Sequence, residues 1–483
     1  MTKQIEDNKG ITAKKEENMP EWYEQVILKS ELAEHAPIKG CMVIRPAGYA
    51  VWQSIQDYFN EVMKKYGVKN AYFPMFIPES FFQREASHAK GFKAEVAWVE
   101  PKTEDSQRYA IRPTSETIMY DAYAKWIRSW RDLPLRINQW CNICRWEVQD
   151  CKLFLRSREF LWQEGHCVYE TEEECDKEAQ QFLQEYKKLA EEILAIPVII
   201  GKKTEKEKFA GAKTTYTMES IMPDGKALQM GTSHNLGQGF ARAFGITYKG
   251  KDMKEMTPWQ NSWGVSTRLI GALVMMHSDN KGLVLPPKVA ATQVVIVPIL
   301  FEDTREKVMK AARDIAIELQ KVGIRANVDE RDGYSPGWKF NEWEMKGIPV
   351  RIEIGPKDLE KQHCVVVRRD IGKKEFIALD AVKKEMPKIL DAMQKDLFAK
   401  AEKHVKSSIG SATNWQEFMD AINNKKMVRV FFHESEELEA EIKEKTSGVT
   451  TRCIPFDAKD AKGKKCFYSG KPATTEVLFA KNY

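Results

Sequence analysis

A chain of 483 residues and 55.7 kDa exceeds what one hydrophobic core of ordinary size serves, so two to four domains are expected. Hydrophobic residues at 43% and charged residues at 30% are globular proportions, which exclude a disordered chain, a collagen-like repeat and a small disulfide scaffold. Seventy-five basic against seventy acidic side chains leave a net charge of +5, which permits a polyanionic partner without requiring one.

The first residues, MTKQIEDNKGITAKKEEN, are polar and mixed in charge, and residues 1–20 read as a flexible leader. No run of ~20 apolar residues occurs, and the N-terminus has no apolar signal region, so a cytoplasmic protein without a membrane partner is expected. Nine unevenly spaced cysteines fit free thiols in a reducing compartment. From Gly48 to Tyr66 the residues Val51, Trp52, Ile55, Phe59, Val62 and Met63 recur at helical spacing, and Gly67 stands where a glycine closes a helix. The aromatic segment NAYFPMFIP follows, and its Pro74 suits a sheet edge or an interface.

Strands are expected around 138–148 and 158–168. A helix then opens at Thr171, with Glu174 at capping-box spacing. The mixed order favours an α+β fold with an antiparallel sheet over 21–288. Past Pro286–Pro287, alternating strands and helices spell an α/β unit over 289–405, and a small α+β unit follows the Ser/Gly-rich stretch, over 406–483.

The segment NQWCNICRWEVQDCKLFLRSREFLWQEGH, 138–166, is the richest in chemistry. In a strand, Arg145 and Glu147 share a face, and Phe160, Trp162, Glu164 and His166 share a face of the returning strand. Lys152, Arg156 and Arg158 fall in the turn between them. A guanidinium for phosphate, a carboxylate for an adenine amino group and a ring for stacking suit a nucleoside triphosphate, although a salt-bridged hairpin has the same spacing. Cys141 and Cys144 form C-x-x-C, but in a strand they face opposite ways, which disfavours a zinc site. Farther on, Thr267 to His277 is apolar nearly all round, with Arg268 in its first turn, an arrangement that suits an anion at a buried helix N-terminus. Two segments are weaker alone: AIRPTSETIMY carries Thr114, Ser115 and Glu116 at a helix start, and ALQMGTSHNLGQGFA carries His234.

In this order the stretches resemble the three signature motifs of class II aminoacyl-tRNA synthetases. The words GCMVIRP, GFKAEVAWV, RPTSET, FLWQEGH, TSHNLGQ, NSWGVSTR and GLVLPPKVA resemble prolyl-tRNA synthetases of the archaeal/eukaryotic-like type, from about residue 20 to the end. The resemblance implies a catalytic domain, an anticodon-binding domain and a C-terminal domain. The implied activity is proline activation with ATP and magnesium, then transfer to tRNA(Pro), by a homodimer. It assigns ATP contacts to Arg145, Glu147, Arg156, Phe160, Gln229, Thr232, Ser266 and Arg268, with Arg145 and Arg268 catalytic. Proline contacts go to Thr114, Glu116, Arg145, Trp162, Glu164 and His234, with Phe92 close by. Lys339, Glu344 and Arg351 become candidates for reading the anticodon.

Two departures from the family pattern matter. Roughly 100 residues separate the second motif from the third, too few for the editing domain of bacterial-type members, so mischarging with alanine or cysteine is expected. Where the C-terminal domain of the family often binds zinc on four cysteines, only Cys466 remains. His433 and Leu438 stand at the first pair and Tyr468 at the last, so no structural zinc is expected. A different class II synthetase and an inactive RNA-binding paralogue are the competing readings; the words TSE and WQEGH oppose the first, and the retained Arg145, Arg156 and Arg268 oppose the second. The family's terminal tyrosine is thought to reach toward the active site, and Tyr483 occupies that position.

Overall fold

The structure is a computed structural model that describes residues 10–86, 95–101, 103 and 107–483. Its centre is an 11-stranded sheet. From one edge it runs Ile409–Ser411, Met427–Phe432, Thr475–Ala480, Thr450–Pro455, Ile199–Lys202, Thr214–Ile221, Ala227–Gly237, Trp259–Ser266, Glu159–Tyr169, Leu135–Cys144 and Lys69–Asn70. Neighbours are antiparallel except for the outermost pair at each edge.

Helices Met19–Lys29, Pro46–Lys65, Glu172–Lys188 and Arg268–His277 bury their apolar sides in one core with this sheet. The Phe182 ring stacks on Trp263 at 3.8 Å between centroids, and Phe59 stacks on Tyr186 at 5.1 Å. Gly165 is required beneath this stack, since a Cβ there would lie 2.3 Å from the Trp263 indole. Thr171 caps its helix by accepting from the Glu174 amide at 3.3 Å, and Gly67 closes Pro46–Lys65 with φ +70°, both as the sequence predicts.

The 289–405 segment contains a five-stranded mixed sheet in the order 326–328, 294–298, 350–354, 363–368 and 374–378. It is flanked by Arg305–Gln320 and the long helix Val382–Ser407. The C-terminal segment does not build a sheet of its own. Thr450–Pro455 pairs with Ile199–Lys202, Ile454 opposite Lys202 and Pro455 opposite Gly201, so its strands extend the catalytic sheet.

Two expectations change. Within the leader, residues 10–18 are docked: Lys15 Nζ donates to the carbonyls of Met275 and Ser278 at 2.7 and 2.8 Å, where Arg268–His277 ends, and Ile11 and Ala13 pack on the core. A lysine that caps helix carbonyls carries no hydrophobic signal, so composition hides it. Residues 1–9 lie outside the described residues. The strand expected over 138–148 ends at Cys144, where the ladder to Glu159 stops and Trp146–Glu147 turn outward.

Candidate active site

Four central strands form the floor of a pocket, and their register sets which side chains meet. One row across the sheet reads Thr215, His234, Ser262, His166, and the next reads Thr217, Thr232, Gly264, Glu164. Glycine at position 264 leaves the middle of the second row without a side chain, which opens the floor. The pocket is lined by Thr114, Glu116, Arg145, Phe160, Trp162, Glu164, Gln229, Thr232, His234, Ser266 and Arg268, all of them expected from sequence.

At one end, carboxylates and histidines form a buried network. Glu164, 2% exposed, accepts from Ser115 Oγ, and from Gln139 Nε2 at 3.0 Å. His166 Nε2 lies 3.1 Å from its other oxygen, and His166 Nδ1 lies 3.0 Å from the Tyr120 hydroxyl. Burial alone pushes the Glu164 carboxyl up, but the bonds from His166, Ser115 and Gln139 prevail and hold it below the usual carboxylate range. Burial likewise opposes a charge on His166, yet its bond to Glu164 and the nearby Glu116 raise it above the ordinary imidazole value. His234 goes the other way: burial, helped by the His166 charge, lowers it to about 3. Its ring is therefore neutral at pH 7 and sits 2.9 Å from Thr215 Oγ1. The buried Glu116 accepts from the Thr114 hydroxyl at the start of helix Glu116–Trp126.

At the other end, guanidiniums gather that form no ion pair with a described residue. Arg145 makes no ion pair with a described residue; its guanidinium lies 5.6 Å from the Phe160 ring centroid and 5.8 Å from that of Trp162. Arg268 donates to the carbonyls of Leu155 and Gln229 at 3.0 and 3.1 Å. Burial, with Arg145 and Arg156 nearby and Glu219 partly opposing, lowers Arg268 to about 10. Cations that act on one another in this way attract an anion. An anion-attracting end beside a carboxylate-bearing end can hold a phosphate chain next to an ammonium group.

The remaining candidates fall elsewhere. Glu147 and Arg156 are exposed on the excursion between the strands, off the pocket wall, because the strand stops at Cys144. Phe92 lies outside the described residues. Cys141 is in the Leu135–Cys144 strand with its thiol 3.5 Å from Glu164, and no group of three or more His, Cys, Asp or Glu suited to a metal occurs among the described residues.

The anticodon candidates also read differently. Lys339 is 3% exposed and donates to the Asp329 carbonyl at 3.0 Å. Arg351 pairs with Glu353 at 2.9 Å, and Glu344 pairs with Lys281 at 3.0 Å. These charges have intramolecular partners, and beside them the exposed Tyr334 stacks on Trp338 at 4.1 Å. Sequence reasoning missed Lys203, Glu207, Phe209, Thr215 and Ser262 on the pocket wall. Ser262 was legible, since it alternates with Gly264 and Ser266; Lys203 enters just past the end of another strand, Ile199–Lys202, and carries no local signal.

Known proteins resemble this chain along nearly its whole length. The profile described as tRNA synthetase class II core domain (G, H, P, S and T) matches residues 93–277, an anticodon binding domain matches 293–389, and a prolyl-tRNA synthetase C-terminal domain matches 415–483. Proline–tRNA ligase 2 of Clostridioides difficile is 48% identical over 475 residues, 97% of either chain. The chain belongs to the prolyl-tRNA synthetases. The proline–tRNA ligase of Chlorobaculum tepidum is 48% identical over 97% of this chain and 98% of its own. The cytoplasmic proline–tRNA ligase of Arabidopsis thaliana is 44% identical over 98% of this chain and 91% of its own. This synthetase is therefore a class II proline–tRNA ligase, with proline, ATP and tRNA as its substrates. No helix among the described residues is long and apolar enough to cross a membrane.

Proposed function

We propose that the pocket binds ATP and proline side by side. Arg145 lies at the junction, on the α-phosphate and near the proline carboxylate, while Arg268 and the looser Arg156 hold the outer phosphates. Phe160 stacks on adenine, and Gln229, Thr232 and Ser266 contact the nucleotide. Thr114, Glu116, Trp162, Glu164 and His234 enclose the proline, whose secondary ammonium faces the Glu116 carboxylate. Guanidiniums without an ion pair among the described residues, set in one pocket with the buried carboxylates of Glu116 and Glu164, carry this reading. The proline carboxylate attacks the α-phosphorus in line and pyrophosphate leaves, so the protein supplies position and charge rather than a nucleophile. A ribose hydroxyl at the tRNA 3′ end then attacks the carbonyl carbon of the adenylate, and AMP leaves. Magnesium would arrive with the phosphates and take at most one or two protein oxygens, which requires no dedicated cage.

We also propose that nothing in this chain edits its product. The stretch from the second motif to the third is filled by helix Glu172–Lys188 and the strands of the catalytic sheet. A proline pocket rejects alanine and cysteine by only ~1–3 kcal/mol per missing group. An exchange assay across the twenty amino acids should show proline strongest, with alanine and cysteine measurable, and tRNA mischarged with alanine should persist in the presence of the purified enzyme. Another amino acid exceeding proline would overturn the pocket reading, and rapid release of alanine would overturn the absence of editing.

In the C-terminal segment, the positions of the family's zinc ligands carry other bonds. His433 Nδ1 lies 2.9 Å from the Pro472 carbonyl oxygen, the Tyr468 hydroxyl donates to Glu441 at 2.7 Å, and Cys466 Sγ accepts from the Ser469 amide at 3.5 Å. The rings of Phe418 and Phe467, 4.7 Å apart, supply a core that a small domain otherwise obtains from metal. Elemental analysis is expected to find no stoichiometric zinc; one zinc per chain would refute this. A homodimer is supported by Tyr72, Phe76 and Trp98, which are 71%, 47% and 39% exposed around the first-motif segment. Sedimentation at the mass of a single chain would refute it. A cytoplasmic location suits the free thiols and the absence of a membrane-spanning helix among the described residues, and export of the native protein would contradict it.

A further inference from the structure

Behind the pocket wall at Lys203, the C-terminal segment packs against the catalytic segment. Lys203, which follows strand Ile199–Lys202, lines the pocket with Gln229 and Thr232, and its side chain is 4% exposed. Its ammonium donates to Glu219 Oε1 at 2.7 Å. Thr217 Oγ1 donates to the same oxygen at 2.9 Å. The other oxygen of Glu219 is taken by Arg452, through Nη2 at 2.8 Å and Nε at 3.1 Å. Arg452 belongs to strand Thr450–Pro455 of the C-terminal segment and lies 233 residues away in sequence. Glu219 has no solvent exposure, and both of its oxygens are in use.

The charges in this cluster do not cancel. Two cations share one carboxylate, leaving a net charge of +1 buried beside the pocket. A buried pair needs only one cation per acid, and the second adds a desolvation cost with no second acid to offset it. Lys203 has three N–H donors, and Glu219 takes the only one with a partner among the described residues. Glu219 and Arg452 also act electrostatically on Arg268, which places the cluster within reach of the phosphate-binding end.

We propose that Lys203 is a further substrate-binding residue that meets a phosphate oxygen, and that Arg452 is a positioning residue acting through Glu219. The C-terminal segment then completes the catalytic site as well as the sheet. This rests on the pocket reading given above. The phosphate can belong to ATP or to the 3′-terminal nucleotides of tRNA, and the two half-reactions separate these sources.

The test uses Lys203→Met, which leaves the Glu219–Arg452 pair intact and neutral, together with Lys203→Arg and Arg452→Met in the full-length enzyme. Losing one charge-assisted hydrogen bond should cost on the order of ten- to a hundred-fold. With ATP as the source, Lys203→Met raises the KM for ATP in pyrophosphate exchange by that factor and leaves the KM for proline unchanged. With tRNA as the source, exchange is normal and single-turnover transfer from preformed prolyl-adenylate slows by that factor. In either case Lys203→Arg recovers much of the loss. Arg452→Met reproduces the defect of Lys203→Met in the same half-reaction, and the double variant is no worse than Lys203→Met alone. Wild-type kinetics of Lys203→Met in both half-reactions would overturn the proposal. If Arg452→Met does not fold, Arg452→Gln replaces it, and normal kinetics in that variant, with Lys203→Met impaired, would remove the positioning role. The pocket reading stands or falls separately on Arg145→Ala, which must lose exchange whatever Lys203 does.

Discussion

Arg145→Ala is expected to abolish proline-dependent ATP–pyrophosphate exchange while leaving the protein folded. The Arg145 guanidinium stands over the Phe160 and Trp162 rings and has no ion pair with a described residue, so truncation breaks no salt bridge of the fold. Its proposed work is at the α-phosphorus, where negative charge builds as the carboxylate attacks. Removing a preorganised donor aimed at such charge costs roughly 10²–10³-fold in rate, and Arg145 also orients the attacking carboxylate, so the combined loss should exceed that range. Thermal unfolding should change little, as for a substitution outside the packed core. Near wild-type exchange in a folded Arg145→Ala protein would defeat the assignment of the whole pocket.

The second large effect is a loss of stability in mild acid. His277 ends the buried helix Arg268–His277, is 5% exposed, and has Nε2 2.8 Å from the Leu194 carbonyl, to which a neutral ring can donate. Burial lowers it to about 4; the carbonyl bond opposes this, and the charges on Lys15 and Lys400 add to it. His234, at about 3, shares the direction. The unfolded chain therefore binds protons that the native state refuses. The stabilisation is complete above the ordinary imidazole value of about 6.5 and declines as pH falls below it. The interval from there to about 4 corresponds to roughly 3 kcal/mol for His277. His166 has the opposite sign: its raised value gives stability that is present on the acid side and lost only as pH rises past its native value. Glu164, held low, contributes above the ordinary carboxylate range and is lost only at more acid pH. Urea unfolding between pH 8 and about 5 should therefore show stability falling toward acid, and His277→Gln, which keeps a donor for Leu194, should flatten that slope. An unchanged slope in His277→Gln would mean that this histidine does not carry the effect.

Much of the site was legible because its residues alternate along strands. Phe160, Trp162, Glu164 and His166 follow the period of two, and the structure puts all four on one pocket wall. The same rule failed for Glu147, because period two applies only while the ladder lasts, and the ladder stops at Cys144. The pairing of the anticodon candidates was hidden for another reason. Lys339 and Arg351 look presented in a charged segment, yet each finds an acid, Asp329 or Glu353, and such pairing depends on where neighbouring strands lie. Lys203 had no signal at all, since its partners Glu219 and Arg452 come from two other strands.

The sequence by itself determined the family, the order of the units, the helices with apolar stripes and many of the residues that line the pocket, because periodicity and local word order are written along the chain. Tertiary structure alone decided that the leader docks through Lys15, that the C-terminal strands extend the catalytic sheet, and that Arg452 reaches Glu219 beside the pocket. Each of these joins segments separated by more than 200 residues. Such contacts depend on which sheet edge and which helix end remain unsatisfied after local structure has formed. Hydrogen bonding and burial settle that choice in three dimensions, and no periodicity along the chain records it.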